Sequence, residues 1–483
     1  MTELATDNRG VPISSRIGFW AGLIPLLLVW LLPAPGDMSQ AAWLTAGMMM
    51  LMAIWWATEA LPIPATALVP IVLIPAFGIG SIGEATSPYA NPVIFLFLGG
   101  FMLGMSMQRW NLHKRIALWV LIAVGSNPRR QIAGVMVATA FIGMWVSNTA
   151  TAIMMLPIGM SIIAMTKSDN EEDLARFSRA LMLCIAYAAS AGGIATLIGT
   201  PPNALLAGYL LETHGIQVGF AQWMVVGLPI SIGIQIFIWA WLTRGGFKLG
   251  DSSATGDMLR QQLAELGPLS TGEKRTAMIG VLMALAWILQ PVLKTWMPWL
   301  SDALIAIAGS LLMFLTPVNK AKREFVMDWN ATRDMPWGIL VLFGGGLSLA
   351  AVITRSGLSE WIAGSFDGIG VLPALLLVGV VVASINLLTE ITSNTATAAT
   401  FLPLMGALAV SMGVSPVLLA IPTALAASCA FMMPVATPPN AIVFASGHLK
   451  ISHMIQNGFA ITIFSIVTIT LLGYFLIGVA FTL

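Results

Sequence analysis

Apolar residues fill this chain in long unbroken runs, not in amphipathic stripes. A helix needs about 20 apolar residues to cross the hydrocarbon core of a bilayer. Runs of that kind fall at 17–33, 41–58, 61–79, 92–108, 182–208, 220–242, 276–293, 300–316, 336–353, 416–445 and 457–482, which predicts eleven spans. Two further apolar stretches, 131–165 and 370–410, are each split by the polar tripeptide Ser-Asn-Thr. The sequence "MWVSNTATAIMMLP" ends at Pro157, and "TSNTATAATFLP" ends at Pro403.

The first run follows a polar tail, "MTELATDNRGVPISSR". A cleaved signal peptide is the competing reading of that run, and the many later spans argue for a membrane helix. Stretch 131–165 is too long for one crossing and too short for two with a turn. An arm that only reaches the midplane needs about ten residues, at ~1.5 Å of rise each. Both stretches therefore predict re-entrant hairpins with Ser-Asn-Thr at the tip. A bent helix pair with a polar kink is the alternative.

Charge placement supports the hairpins independently. Lys and Arg collect in cytoplasmic loops. Let the N-terminus be cytoplasmic and the eleven spans alternate, with both hairpins returning to the side they entered. All of the 22 basic residues except Lys294 and Arg355 then fall inside. The inside set includes Arg9 and Arg16, Arg109 to Arg130, the loop of Lys167 to Arg179, and the polar segment of Arg244 to Arg275. The predicted organisation is a tail and first span over 1–40, a first repeat over 41–242 with hairpin 131–165, a cytoplasmic linker over 243–275, and a second repeat over 276–483 with hairpin 370–410.

Composition agrees. Only 9% of residues are charged, against roughly a quarter in soluble proteins, so the surface faces lipid. A net charge of +1 gives no sign of nucleic-acid binding. Cys184 and Cys429 lie in apolar runs and read as buried hydrophobes. The four His, at 113, 214, 448 and 453, show no ligand spacing. The fold class expected is an all-α integral membrane protein.

The repeat extends beyond the tripeptide. "PVIFLFLGGFMLG" from Pro92 resembles "PWGILVLFGGGLSLA" from Pro336, and "GTPPNALLAG" from Gly199 resembles "ATPPNAIVFASG" from Ala436. The order of motifs is the same in both halves. Each half has five spans, so the second copy is inverted in the membrane. Inverted repeats with helices broken at the midplane are a mark of secondary transporters. No nucleotide-binding motif appears.

Tandem proline in Thr200-Pro201-Pro202-Asn203 and in Thr437-Pro438-Pro439-Asn440 cannot continue a helix undisturbed. Broken backbone at membrane depth is tolerated only where protein or a water-filled cavity satisfies it. Freed carbonyls, Asn oxygens and Ser/Thr hydroxyls suit a hard cation such as Na⁺. Helix N-termini suit a carboxylate. No Arg or Lys lies inside any predicted span, so a bound anion depends on helix ends, neutral donors and co-bound cations. Two acids lie at or near membrane depth. Glu390 reads either as support for a Na⁺ site or as hairpin structure. Glu59 reads first as structural, near the interface.

These residues, with "GGIATLIGTPPN", "TEITSNTATAATFLP" and "FMMPVATPPNAIVFASGHLK", resemble the divalent anion/sodium symporter family along nearly the whole chain. The resemblance implies a homodimer in the cell (inner) membrane, with a scaffold part at the dimer contact and a transport part that moves like an elevator. It implies Na⁺ as coupling ion, no organic cofactor, and C4-dicarboxylates such as succinate, malate and fumarate as substrates. One sodium site would map onto Gly143, Ser147, Asn148 and Gly199, and the other onto Thr389, Thr392, Asn394 and Ala436. Gly143 stands where some relatives carry a hydroxyl, so it would act through its carbonyl. Substrate carboxylates would meet Ser147, Asn148, Thr149 and Thr200 on one side and Ser393, Asn394, Thr395, Thr437 and Pro438 on the other. A Na⁺-independent exchanger of dicarboxylates or citrate is the alternative mechanism. An ion channel would need a continuous pore, and an intramembrane enzyme a poised acid, base or metal.

Overall fold

Both Ser-Asn-Thr tripeptides sit at a turn between two helices. In the computed structural model, which describes residues 13–166, 168, 170–249, 253–364 and 373–481, the first hairpin joins Pro128–Gly143 to Asn148–Met165. The second joins Ala374–Thr389 to Asn394–Ser411. Ser147 and Ser393 occupy the N-cap positions, with extended backbone just before the helix begins. Ser and Asn favour that place because their side chains satisfy N–H groups the first turn leaves unpaired. The arms of 16 and 18 residues exceed the ten that reaching a midplane requires. Residues 1–12 of the N-terminal tail, Lys167, positions 250–252 of the linker and positions 370–372 of the second hairpin lie outside the described residues.

Eight helices among the described residues are long and apolar enough to cross a membrane. Seven coincide with expected runs, and the eighth, Asn148–Met165, is a hairpin arm. The other expected runs form shorter or broken helices, and run 182–208 is broken past its long first segment. Run 61–79 splits into Ile63–Thr66 and Val69–Ala76, because Pro62, Pro64 and Pro70 interrupt its hydrogen bonding. Run 182–208 is two helices, Glu171–Gly193 and Pro201–His214. Run 416–445 is likewise Val417–Ala427 and Pro438–Phe444. Each proline pair opens the second segment, where the missing N–H groups have no intrahelical partner to lose.

The chain is mostly helical but not wholly so. Pro317–Asn319 pairs antiparallel with Glu324–Phe325. The Asn319 side chain turns the chain there by accepting from the Ala321 and Lys322 N–H groups. Among the described residues, four α-helices fall outside the expected runs: Ile82–Thr86, Leu112–Val124, Ser253–Glu265 and Leu358–Gly364.

Small residues let the central helices pack closely. Ala186, Ala188, Ala189, Ser190, Ala191, Gly192 and Gly193 are all buried. A Cβ at Gly192 would lie 2.6 Å from the Ala140 carbonyl, so Glu171–Gly193 approaches the first hairpin backbone to backbone. Val417–Ala427 is buried along its whole length in the same way. Large apolar side chains such as Leu285, Leu289, Leu311, Phe459 and Phe475 point outward, as a lipid-facing surface allows.

The halves interlock by exchange. Glu171–Gly193 packs on both arms of the first hairpin, and Val417–Ala427 packs on both arms of the second. Pro201–His214 crosses to Asn394–Ser411 and Val417–Ala427. Pro438–Phe444 crosses to Asn148–Met165 and Glu171–Gly193. Each half-helix that begins with the proline pair thus leans on the other half's hairpin.

Candidate functional site

The two hairpin tips and the two helix breaks meet at one cavity of about 940 Å³. Ser147, Asn148, Thr149, Thr200, Ser393, Asn394, Thr395, Thr437 and Pro438 all line it. So do the candidate cation ligands Gly199, Thr392 and Ala436. Gly143 and Thr389 lie behind the wall and are buried. Ser15, Thr58, Glu59, Ile63 and Ile339 are among the other lining residues. No Lys or Arg is among the lining residues.

In the first half the oxygens are crowded and one is unsatisfied. The Asn148 Oδ1 is buried without a hydrogen-bond partner. A Cβ at Gly193 would lie 2.8 Å from that atom and 3.0 Å from the Gly199 carbonyl oxygen. A Cβ at Gly199 would lie 2.4 Å from the Gly193 carbonyl oxygen. Only glycine fits at either place, and the Asn148 amide oxygen and the Gly199 carbonyl both lie within about 3 Å of one point beside Gly193, while the Gly193 carbonyl takes the Asn203 side-chain donor. That donor set fits a hard cation, which takes oxygen ligands. Sequence reasoning named Asn148 and Gly199 but missed Gly193, whose signal was the glycine pair in "AGGIATLIG".

The second half holds its oxygens differently. The Thr389 hydroxyl lies 2.8 Å from Asn394 Oδ1 and 2.9 Å from the Ala427 carbonyl. One hydroxyl proton serves one acceptor at a time, so a ligand there competes with a bond already formed. Thr392 Oγ1 donates to the Leu388 carbonyl at 2.9 Å and lies 2.6 Å from Thr397 Oγ1. Three long helices, Asn148–Met165, Pro201–His214 and Asn394–Ser411, start at the cavity wall. Their free N–H groups and positive dipole ends favour an anion between them.

The breaks themselves are clasped by side chains. Asn203 Nδ2 donates to the Gly193 and Thr196 carbonyls at 3.2 and 2.8 Å. Asn440 Nδ2 donates to the Ala430 and Met433 carbonyls at 3.2 and 3.0 Å. Neither Asn was singled out from the sequence, although each ends a repeated motif. Glu390 does not line the cavity. Its carboxylate accepts from the Phe431, Met432 and Met433 N–H groups at 2.7 to 3.1 Å, which makes it a clasp on the second break. Glu59, read first as structural, stands on the cavity wall. Its backbone is left-handed, with φ of 48°, at the end of Gln40–Thr58, and the Ser15 hydroxyl donates to its carbonyl at 3.0 Å.

A helical membrane protein with paired broken helices around a midchain cavity has the build of a membrane transporter. The chain belongs to the sodium:sulfate symporter family: the model of its transmembrane region matches residues 16–480. A sodium-dependent dicarboxylate transporter, SdcS, of Staphylococcus saprophyticus is 40% identical over 485 residues, covering 98% of this chain and 93% of that protein. SdcS of Staphylococcus aureus strain USA300 is 40% identical over 492 residues, covering 99% and 95%. Among solved structures, the Alcanivorax borkumensis YdaH transporter aligns with a TM-score of 0.58 at 16% identity, covering 98% of this chain and 99% of that one. Neisseria gonorrhoeae MtrF aligns with a TM-score of 0.56 at 14% identity, covering 97% and 95%. These structures share the fold. The family and its relatives are transporters, not enzymes.

Proposed function

We propose that the protein couples Na⁺ to uptake of C4-dicarboxylates such as succinate, malate and fumarate. The observation that carries this reading is one cavity lined by both Ser-Asn-Thr tripeptides, with no Lys or Arg in its wall. A dianion there needs charge compensation, and co-bound Na⁺ supplies it. One Na⁺ would lie among Asn148 Oδ1 and the carbonyls of Gly199 and Gly143, beside Ser147. A second would lie among Thr389, Thr392, Asn394 and Ala436. The carboxylates would meet Ser147, Asn148, Thr149 and Thr200 at one end and Ser393, Asn394, Thr395, Thr437 and Pro438 at the other. The names of the similar staphylococcal proteins support both the ion and the substrate class.

On this reading the protein works as a homodimer in the cell membrane, with its N-terminus cytoplasmic. The hairpins and broken helices move together as an elevator past a scaffold, and both hairpins are re-entrant. The cavity reaches Ser15, Glu59 and Ile339, residues at span ends assigned to the cytoplasm, so this state faces inward. Counterflow of labelled succinate in proteoliposomes, with and without Na⁺, tests the function. Exchange that proceeds equally in choline would replace Na⁺ coupling with plain exchange. Labelling of a single cysteine at Ser168 by an impermeant reagent from outside would overturn the orientation.

A further inference from the structure

A second group of buried oxygens lies behind the second hairpin, away from the cavity. Asn386 and Glu390 are one helical turn apart on the first arm of that hairpin. Thr462 and Ser465 are one turn apart on Ile451–Thr468, which packs against that arm. Asn386, Thr462 and Ser465 are fully buried and Glu390 is nearly so. Asn386 Nδ2 donates to Ser465 Oγ at 3.3 Å, which ties the two faces together. The Thr462 hydroxyl stands beside the Glu390 carboxylate without a well-formed hydrogen bond to it.

Two features set this group apart from ordinary polar packing. Asn386 Oδ1 and Thr462 Oγ1 are both buried with no hydrogen-bond partner, although buried polar atoms are nearly always paired. Glu390 brings a full charge to a place where a lone charge is costly. Its carboxylate takes backbone N–H groups only, and none of the ion pairs among the described residues includes it. The first half has no equivalent. Counting from the two Ser-Asn-Thr copies, Ala140 and Met144 stand where Asn386 and Glu390 do. Counting from the Thr-Pro-Pro-Asn copies, Val225 and Leu228 stand where Thr462 and Ser465 do.

We propose that Asn386, Glu390, Thr462 and Ser465 form a third Na⁺ site, separate from the two at the hairpin tips. The chemistry is that of a hard cation: one carboxylate, one amide oxygen and two hydroxyls. The cation neutralises Glu390 and occupies the two unpaired oxygens at once. Glu390 holds the loop at Phe431–Met433, and that loop leads to Ala436 and Thr437 on the cavity wall. Occupancy therefore stiffens the second half of the substrate site from behind. The proposal rests on the reading that Na⁺ is the coupling ion.

The test uses the purified full-length protein with NaCl replaced by choline chloride and no anion substrate. Bound ²²Na⁺ and the thermal midpoint are measured against Na⁺ concentration. Thr462→Val keeps the shape and removes a hydroxyl that bonds nothing, so packing alone predicts no change. The expected result is a loss of one bound Na⁺, or a half-saturating concentration raised at least about tenfold, the cost of one contact to a charged group. The midpoint in choline should stay at the wild-type value, and Thr462→Ser should restore binding. If Thr462→Val does not yield folded protein, Ser465→Ala takes its place with the same loss of Na⁺ binding expected, although its midpoint in choline should fall because Asn386 Nδ2 loses its acceptor. A wild-type Na⁺ titration in these variants overturns the site. So does an unchanged titration with an altered pH profile of uptake, which would mean that the cluster carries a proton. If the wild-type protein itself binds no Na⁺, the coupling proposal falls as well.

Discussion

Asn203 and Asn440 make the same pair of hydrogen bonds in the two halves of the chain. Each reaches the carbonyls ten and seven residues before it. Each side chain thereby closes a non-helical loop that has no ladder of its own. The loops carry Gly199 and Ala436, so the clasp holds both candidate cation sites in shape. Asn203→Ala and Asn440→Ala should each take the side-chain donor from one buried carbonyl, Gly193 or Ala430, at a cost of about 1–3 kcal/mol, while Thr196 and Met433 keep the backbone N–H groups of Gly199 and Ala436. The thermal midpoint in detergent should fall in both variants, and uptake should fall with it.

Gly199 offers a sharper steric test. Its missing Cβ would stand 2.4 Å from a backbone carbonyl oxygen, and backbone cannot swing aside as a side chain does. Gly199→Ala should abolish uptake while the protein still reaches the membrane. Gly233→Ala, where the added carbon meets only the Thr468 methyl at 3.8 Å, should transport normally. Equal transport by the two variants would remove the close approach at Gly199 from the mechanism.

Thr389 tests the second half. Its hydroxyl holds Asn394 Oδ1 at 2.8 Å. Thr389→Val should raise the Na⁺ concentration for half-maximal succinate uptake, with the succinate KM at saturating Na⁺ changed less. An unchanged Na⁺ dependence would leave only backbone carbonyls in that site.

The anion's two ends can be tested with a one-ended analogue. If Asn148 and Asn394 each face one carboxylate, butyrate leaves one face unpaired. Losing one charged hydrogen bond of about 1.5–3 kcal/mol weakens competition at least tenfold. Butyrate should therefore displace labelled succinate far less well than malate does. Asn148→Ala and Asn394→Ala should each weaken succinate binding. Displacement by butyrate as effective as by malate would end the two-ended reading.

The linker after the first half is pinned by charge. Arg115 Nε meets Glu273 Oε1 at 2.5 Å, and both side chains are about 95% buried, with exposures of 5% and 4%. The Arg115 guanidinium also donates to the Leu266 and Gly267 carbonyls. Glu273→Gln should destabilise the protein by about 3–5 kcal/mol, because it strands a buried cation. Thermal denaturation checks it, and Arg115→Met combined with Glu273→Leu should recover part of the loss.

The hairpin turns and helix breaks were legible because each has a local cause. Serine caps a helix and tandem proline starts one, wherever the rest of the chain goes. The meeting of these motifs at one cavity was legible from their repetition. Glu59 was not, since its place on the wall depends on how a helix more than 80 residues upstream of the first tripeptide packs. Glu390 stayed ambiguous because its partners, the N–H groups of Phe431 to Met433, lie about 40 residues away in a loop without periodicity. The clasp of Asn203 and Asn440 could have been read, as each motif ends in Asn, but a side chain aimed back ten residues leaves no pattern in hydropathy. Leu112–Val124 and Ser253–Glu265 escaped because they are too short or too polar to look like spans.

The exchange of half-helices between the repeats has a consequence for biogenesis. Ribosomes deliver the N-terminal half first, and domains tend to fold as they emerge. Here Pro201–His214 leaves the ribosome long before its seat on Asn394–Ser411 exists. The first hairpin waits equally long for Pro438–Phe444. Until the last quarter of the chain is made, the first half holds a polar tip and an open break with no cavity to justify them. Truncation after the linker should therefore yield an inserted but protease-sensitive fragment, not half a transporter, and co-expressing the missing half should be what protects it.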